Sequence, residues 1–227
     1  LSMLLLTLGL NHKTAPLEIR ERLAFGPDIV VGALRSVVES AGVGEAVILS
    51  TCNRTEIYVA GDASACRRLR EWACAFHGLD PHAVEPYLYE HTGKAAVEHL
   101  MGVASGLDSL ILGEPQILGQ VKTAYQTAVD SGTAGKLLCR LFQHTFSVAK
   151  QVRTDTAIGS SPVSVAFAAV SLAKQIFADL EAQTALLIGA GETIELAARH
   201  LSQHGIGRMI VANRTVERAH QLAEQFD

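Results

Sequence analysis

Apolar and polar positions change period several times along the chain. Residues 4–10 (LLLTLGL) form a short, nearly continuous apolar run, which predicts a buried strand. Residues 17–23 predict a short helix, and residues 29–41 predict a longer one with Val30, Leu34, Val37 and Val38 on its apolar face. Residues 45–49 (EAVIL) and 55–60 (TEIYVA) are rich in apolar and β-branched side chains and predict two strands joined by a polar connection. Residues 63–76 predict a helix with Cys66, Leu69, Ala73 and Phe76 on one face and Arg67, Arg68, Arg70 and Glu71 on the other. A further strand is expected at 87–90, and helices from Lys94 to about Val152. This order predicts an α+β layout with a small, mostly antiparallel sheet.

The pattern changes after a polar, Gly-containing stretch at 154–161 (TDTAIGSS), a candidate boundary between segments 1–155 and 156–227. Ser161 and Pro162 read as a cap and first turn, opening a helix that runs to about Asp179. A buried strand at 184–189, a helix at 192–204, a strand at 208–212 and a helix at 215–226 follow. Such a βαβα series belongs to a parallel sheet. A mononucleotide-binding half needs βαβαβ, so this second domain is expected to be a partial Rossmann-type α/β fold.

Composition narrows the chemistry. Of 227 residues, 48% are hydrophobic, enough for ordinary cores and too many for a disordered chain. A formal charge of −4 gives no global attraction to nucleic acid. RNA contacts would need a local patch, either Arg67, Arg68 and Arg70 or Lys150 and Arg153. Cysteines 52, 66, 74 and 139 form no C-x-x-C pair, which argues against zinc and against a disulfide framework and fits a reducing cytoplasm. The apolar residues 3–6 lack a basic leader, and no run approaches the roughly 20 apolar residues of a membrane span.

Two places carry candidate chemistry. Cys52 lies in the connection S-T-C-N-R-T-E, at a strand end, where a nearby guanidinium such as Arg54 would favour the reactive thiolate. The residues alone leave a half-buried packing thiol as the other reading. Gly189-Ala190-Gly191 follows a strand and opens a helix, as a phosphate-binding turn does, but Ile194 stands where a third small residue is usual. A tight turn in an α/β sheet remains the alternative. The next strand ends in Ala212-Asn213-Arg214-Thr215, with no carboxylate for a ribose 2′-hydroxyl and an arginine able to pair with a 2′-phosphate. That preference for NADP over NAD competes with a simpler one, an arginine placed for solubility.

Several motifs together resemble one family. They are G-L-N-H-K-T-A-P at 9–16, S-T-C-N-R-T-E-I-Y at 50–58, the run from Ser105 to Tyr125, G-S-S-P-V-S at 159–164 and G-A-G-E at 189–192. Nearly the whole chain thus resembles the glutamyl-tRNA reductase family, in the family's own order. The resemblance implies that 1–155 is the catalytic, glutamyl-tRNA-recognising domain and that 156–227 begins the NADPH-binding domain. A C-terminal dimerisation domain would be absent, leaving this fragment monomeric where the full-length protein is a homodimer. It implies Cys52 as the nucleophile that takes the glutamyl group as a thioester, with His99 linked to activity as a proton donor. Glutamate binders would be Thr51, Cys52, Asn53, Arg54, Ser109, Glu114, Pro115, Gln116 and Gln120, Arg54 meeting the side-chain carboxylate. Cofactor contacts would come from Gly189, Ala190, Gly191, Glu192, Thr193, Ile194, Asn213 and Arg214. His12 and Lys13 are expected to be structural or RNA-facing. NADPH and glutamyl-tRNA(Glu) are the implied cofactor and substrate, and an aminomutase that receives the aldehyde is a possible partner. Two other readings stand beside this one. A different cysteine-thioester semialdehyde dehydrogenase would place its nucleotide domain first, and a non-catalytic dinucleotide- or tRNA-binding module would not depend on Cys52.

Overall fold

The structure, a computed structural model, describes residues 4–62, 64–159, 165–177 and 179–226. The chain divides into two compact units, Leu1–Ser161 and Pro162–Asp227. In the first, strands β1 (Leu4–Asn11), β2 (Glu45–Ser50), β3 (Arg54–Gly61) and β4 (Tyr89–Thr92) form one sheet in the order β2-β3-β1-β4. Every neighbouring pair is antiparallel. Central β3 is buried at every position, so helices cover both faces of the sheet. This matches the small antiparallel sheet that the pattern predicts.

The β3 boundary matters most. The apolar run alone begins the strand at Thr55, but Arg54 pairs with Asn11 across β1 and so belongs to the ladder. Thr51, Cys52 and Asn53 are left as the connection between β2 and β3. Side chains alternate along a strand, so Arg54, Glu56 and Tyr58 share a face. The β4 strand is also shifted, because Glu85–Tyr87 forms a 3-10 turn first.

Helices α1 (Leu17–Arg22), α2 (Val30–Ser40) and α3 (Ala65–His77) follow the predicted periodicity closely. Gly78, left-handed at φ 63°, ends α3. A short helix α4 (Pro81–Val84) leads to β4. The cationic face of α3 is largely self-neutralised: Arg68 pairs with Asp62, and Arg70 with Glu85 and Glu90. Cys74 packs with Leu10, Leu23 and Val84, and Cys66 packs against the main core.

Helices α5 (Lys94–Ala104), α6 (Gln116–Asp130) and α7 (Lys136–Asp155) occupy the predicted helical region, interrupted by a loop at 105–115. Its ends are Gly106 and Gly113, both left-handed at φ 80° and 79°, and the Gly113 amide donates to the Gly106 carbonyl at 2.8 Å. A side chain at Gly113 would meet Ile158 at 2.8 Å, so only glycine suits both its dihedral angle and its neighbour. Glu45 at the start of β2 anchors α7. Its buried carboxylate accepts the amides of Leu137 (3.1 Å) and Leu138 (2.7 Å), the donors a helix N-terminus leaves unpaired.

The second unit contains α8 (Val165–Ile176), β5 (Thr184–Ile188), α9 (Glu192–Gln203), β6 (Arg208–Ala212) and α10 (Val216–Ala223), with β5 and β6 parallel. The predicted start at Ser161 and Pro162, within the 159–164 motif, lies outside the described residues. Strand β5 is not the buried strand its composition suggests: Leu187 packs with Val170, Ala198 and Leu201, while Leu186 and Ile188 are 60% and 74% exposed. Only one face of this two-stranded sheet meets helices, and a run such as Leu-Leu-Ile does not reveal which residues face them. Among the described residues no helix is long and apolar enough to cross a membrane.

Removing the Glu45 carboxylate should cost this fold a helix anchor. Glu45→Ala is expected to lower stability by about 1–2 kcal/mol, the usual scale of a lost N-cap. Urea denaturation followed by helical circular dichroism would measure it, and unchanged stability would count against the anchor.

Candidate active site

The connection carrying Cys52 is held by its own polar groups. Thr51 Oγ1 accepts the amides of Asn53 and Arg54, each at 3.2 Å, a Thr-type turn, and the Thr51 amide donates to the Arg54 carbonyl at 2.8 Å. From outside, the His12 amide donates to the Asn53 carbonyl at 2.9 Å. Arg20 of α1 reaches in from another side, donating from Nη1 to the Cys52 carbonyl at 2.5 Å and to Asn53 Oδ1 at 3.3 Å. The backbone is thus tied down while the Cys52 side chain is exposed. The α3 thiols contrast with it: burial, reinforced by Glu90, pushes Cys66 up to about 11, and burial raises Cys74.

Behind the turn lies a buried charge network. Arg54 is only 2% exposed, and its guanidinium donates from Nη1 to Glu56 Oε1 at 2.7 Å. From Nη2 it donates to the Asp108 carbonyl at 2.5 Å and to Asp108 Oδ2 at 3.0 Å. Glu56 is fully buried and also takes the hydroxyls of Tyr58 and Tyr89 (2.5 Å for Tyr89) and lies 2.8 Å from His99 Nε2. Burial alone would raise the Glu56 carboxyl, but the bond to His99 and the Arg54 charge outweigh it and hold it at about 2. Burial likewise works against the Arg54 charge, and the Glu56 carboxylate reverses that. Burial and Glu56 together keep Tyr58 and Tyr89 protonated as donors. Asp108 additionally pairs with Lys13, and against the desolvation that opposes its charge Lys13 and Arg54 keep its carboxyl low.

One narrow cleft brings Thr51, Cys52, Asn53 and Arg54 together with Ser109, Glu114 and Gln120. Ser109 Oγ is buried with no hydrogen-bond partner among the described residues. Glu114 is 8% exposed; burial pushes its carboxyl up, and the Arg54 charge opposes that. Pro115 and Gln116 begin α6 nearby and are not among the lining residues. His99 is not there either. It is held on α5 against Glu56, stacked on His91 at 4.5 Å with Tyr89 edge-on at 5.3 Å. The direct proton donation expected of His99 therefore has no contact behind it here. Lys13, expected to be structural or RNA-facing, pairs with Asp108 while its side chain stays largely exposed.

The expected residues omit Glu56, Asp108 and Arg20. Glu56 was visible as a signal: a carboxylate two places from an arginine, in an otherwise apolar strand, shares its face and is buried only as its partner. Asp108 and Arg20 carry no such local signal, because their partners lie far away in sequence.

In the second unit, Gly189 at φ 114° makes the turn after β5, and a side chain at Gly191 would meet open space before α9 begins. Open glycine backbone at a helix N-terminus fits a dinucleotide pyrophosphate. Glu192 and Thr193 are exposed in the first turn, where Glu192 adds a charge that opposes an anion. Ile194 is partly buried and packs against the unit's core. Asn213 donates to the Thr215 carbonyl at 2.8 Å, and Arg214 is exposed. Among the described residues no cluster of His, Cys, Asp or Glu could hold a metal ion.

An α+β unit that carries a cysteine turn is followed here by the opening of a Rossmann-like α/β unit. The family model described as "Glutamyl-tRNAGlu reductase, N-terminal domain" matches residues 8–156, and the model for shikimate / quinate 5-dehydrogenase matches 171–227. The chain is 62% identical to a glutamyl-tRNA reductase of Alkalilimnicola ehrlichii over 98% of its length and 50% of the relative's. It is 60% identical to that of Nitrosococcus oceani over 99% of its length and 54% of the relative's. The solved glutamyl-tRNA reductase from Methanopyrus kandleri is 36% identical, with a TM-score of 0.67, covering 98% of this chain and 52% of that one. This chain belongs to the glutamyl-tRNA reductase family. It spans about half the length of the curated relatives it matches.

The Glu56 carboxyl links the network to acid stability. Its folded value lies below its ordinary 4.5, so its contribution is complete above about pH 4.5 and is lost as the pH falls towards about 2. The contribution is on the order of 3 kcal/mol. Urea denaturation at graded pH should show this acid-side loss in the native chain and a flatter slope in Glu56→Gln. Equal slopes would mean that Glu56 is not charged in the fold.

Proposed function

We propose that this chain supplies the acyl-accepting domain and the start of the cofactor domain of an enzyme that reduces glutamyl-tRNA(Glu) to glutamate-1-semialdehyde, the first step of the route to 5-aminolevulinate and tetrapyrroles. The observation that carries this reading is one exposed thiol, Cys52, on an immobilised turn in a polar cleft. Its thiolate attacks the carbonyl carbon of the aminoacyl ester. A carbon–sulfur bond forms, the carbon–oxygen bond to the ribose breaks, and the tRNA hydroxyl leaves with a proton. A nicotinamide cofactor, when bound, supplies the hydride that turns the Cys52 thioester into an aldehyde and frees the thiolate.

The remaining assignments follow the side chains. Arg54 takes the glutamate carboxylate at the cleft floor. Glu114, beside it and without an ion-pair partner among the described residues, takes the α-ammonium, and Ser109 and Gln120 supply polar contacts. Thr51 and Asn53 hold the turn, Pro115 and Gln116 position α6, and His99 acts through Glu56. For the cofactor, the Gly189-Ala190-Gly191 turn with the α9 start at Glu192 and Thr193 takes the pyrophosphate. Asn213 shapes the loop in which Arg214 pairs with the 2′-phosphate of NADPH. For the RNA, the paired state of Arg68 and Arg70 favours Lys150 and Arg153. These line a groove with Lys122 and Phe146, and no ion pair engages them among the described residues. The full-length protein is then a homodimeric cytoplasmic enzyme.

Two measurements test the reading. Mass spectrometry of protein mixed with glutamyl-tRNA, without cofactor, should find a glutamyl adduct on Cys52 and none in Cys52→Ser; an adduct on Cys66, Cys74 or Cys139 would overturn it. In the full-length enzyme, Arg214→Ala should weaken NADPH about ten- to a hundredfold, the scale of one charge-assisted contact, while acylation of Cys52 is unchanged. Equal NADPH affinity would remove Arg214 from the site.

A further inference from the structure

An arginine can grip a carboxylate with two parallel N–H bonds only along two edges of its guanidinium. The end-on fork uses Nη1 and Nη2, and the side-on fork uses Nε and Nη2. Both need Nη2. In Arg54, Nη2 already makes two bonds to Asp108, one to its backbone carbonyl and one to Oδ2. With Glu56 on Nη1, no edge is open for a bidentate pair with an incoming carboxylate.

We propose that the Asp108 carboxylate is a place-holder for the substrate's side-chain carboxylate on Arg54, and that substrate binding exchanges one for the other. The inference rests on the glutamate-reduction reading above. Of the two Asp108 contacts, the side chain is the replaceable one. It is 26% exposed at its surface-facing side, whereas Arg54 and Glu56 are 2% and 0% exposed. It has a second cation at hand in Lys13, which is 56% exposed and already bonded to it, so the displaced carboxylate keeps a charge partner. Asp108 also sits in the loop whose two ends are the left-handed, mutually bonded Gly106 and Gly113. Its neighbour Ser109 lines the same cleft and has a buried hydroxyl with no hydrogen-bond partner among the described residues.

The exchange has a physical rationale. Without Asp108, the empty site would hold a buried guanidinium facing one carboxylate while lying beside the Lys13 charge. With it, the charges stay balanced until an anion arrives, and a neutral side chain such as an amide has no charge with which to displace it. Asp108 is in this sense a specificity-determining residue, and it scales the apparent affinity by the fraction of time it leaves Arg54 free.

The test uses the 227-residue chain and the α-benzyl thioester of glutamate, whose small leaving group makes no RNA contact. Attack by Cys52 forms the glutamyl thioester and releases benzyl thiolate, followed by absorbance and by the mass of the adduct. Asp108→Asn keeps the shape and removes the charge. It is expected to lower the half-saturating thioester concentration about five- to thirtyfold while the maximal acylation rate changes less than twofold. Asp108→Ser should behave in the same direction. A merely structural Asp108 would instead leave half-saturation unchanged or raise it, and either result overturns the proposal. If the native chain is never acylated, the thioester reading itself falls and the place-holder with it. A crystal structure with glutarate bound gives the independent reading: Asp108 Oδ2 is expected off Arg54 Nη2 and on Lys13, and a glutarate bound with the Asp108–Arg54 bond intact would overturn it.

Discussion

A buried carboxylate must be surrounded by donors or it will not stay charged, and Glu56 has gathered four groups around it. Arg54, Tyr58, Tyr89 and His99 all meet it. They come from β3, β4 and α5, so one oxygen pair fixes three elements against each other. Arg54 extends the chain of contacts to Asp108 and thus to the loop before α6. An uncompensated charge at such depth costs several kcal/mol, so the network forms nearly complete or the sheet edge does not close. The Cys52 turn sits directly on it, since Arg54 begins the strand that the turn enters.

That arrangement explains a division of labour among the cysteines. Cys66 and Cys74 sit on a helix that packs against apolar cores, where burial disfavours the thiolate. Cys52 sits where backbone hydrogen bonds to Thr51, Arg20 and His12 consume the polar groups of the turn and leave the sulfur outside. Rigidity of the backbone and exposure of the side chain are what a nucleophile needs, and here they come from different residues.

Much of this was legible in the chain. Period changes located β1–β3 and α1–α3 to within a few residues and marked residues 94–152 as helical, while the short α4 was not foreseen. The motif around Cys52 pointed to the turn before any coordinates. What the pattern missed has physical causes. Residues 105–115 read as part of a helical stretch because the left-handed dihedral angles of Gly106 and Gly113, which break it, are not written in hydrophobicity. The strand at Thr184–Ile188 read as buried because its residues are all apolar, whereas the alternation that exposes Leu186 and Ile188 depends on which face meets helices. Asp108 was invisible because its partner Arg54 lies on a distant strand. His99 was placed by motif near the chemistry, and the structure gives it Glu56 in place of the cleft.

The central claim is that Arg54 and Glu56 act as one unit on which the cleft is built. A double-mutant cycle tests it most directly: Arg54→Met, Glu56→Gln and both together, with stability measured by urea denaturation at neutral pH. Arg54→Met alone leaves a buried carboxylate without its cation and should be the least stable. Adding Glu56→Gln removes that charge while keeping one acceptor oxygen for the tyrosine hydroxyls. The double variant should therefore be more stable than Arg54→Met, with a coupling of about 2 kcal/mol or more. Additive effects of the two substitutions would contradict the account, because they would mean that the two side chains do not depend on each other.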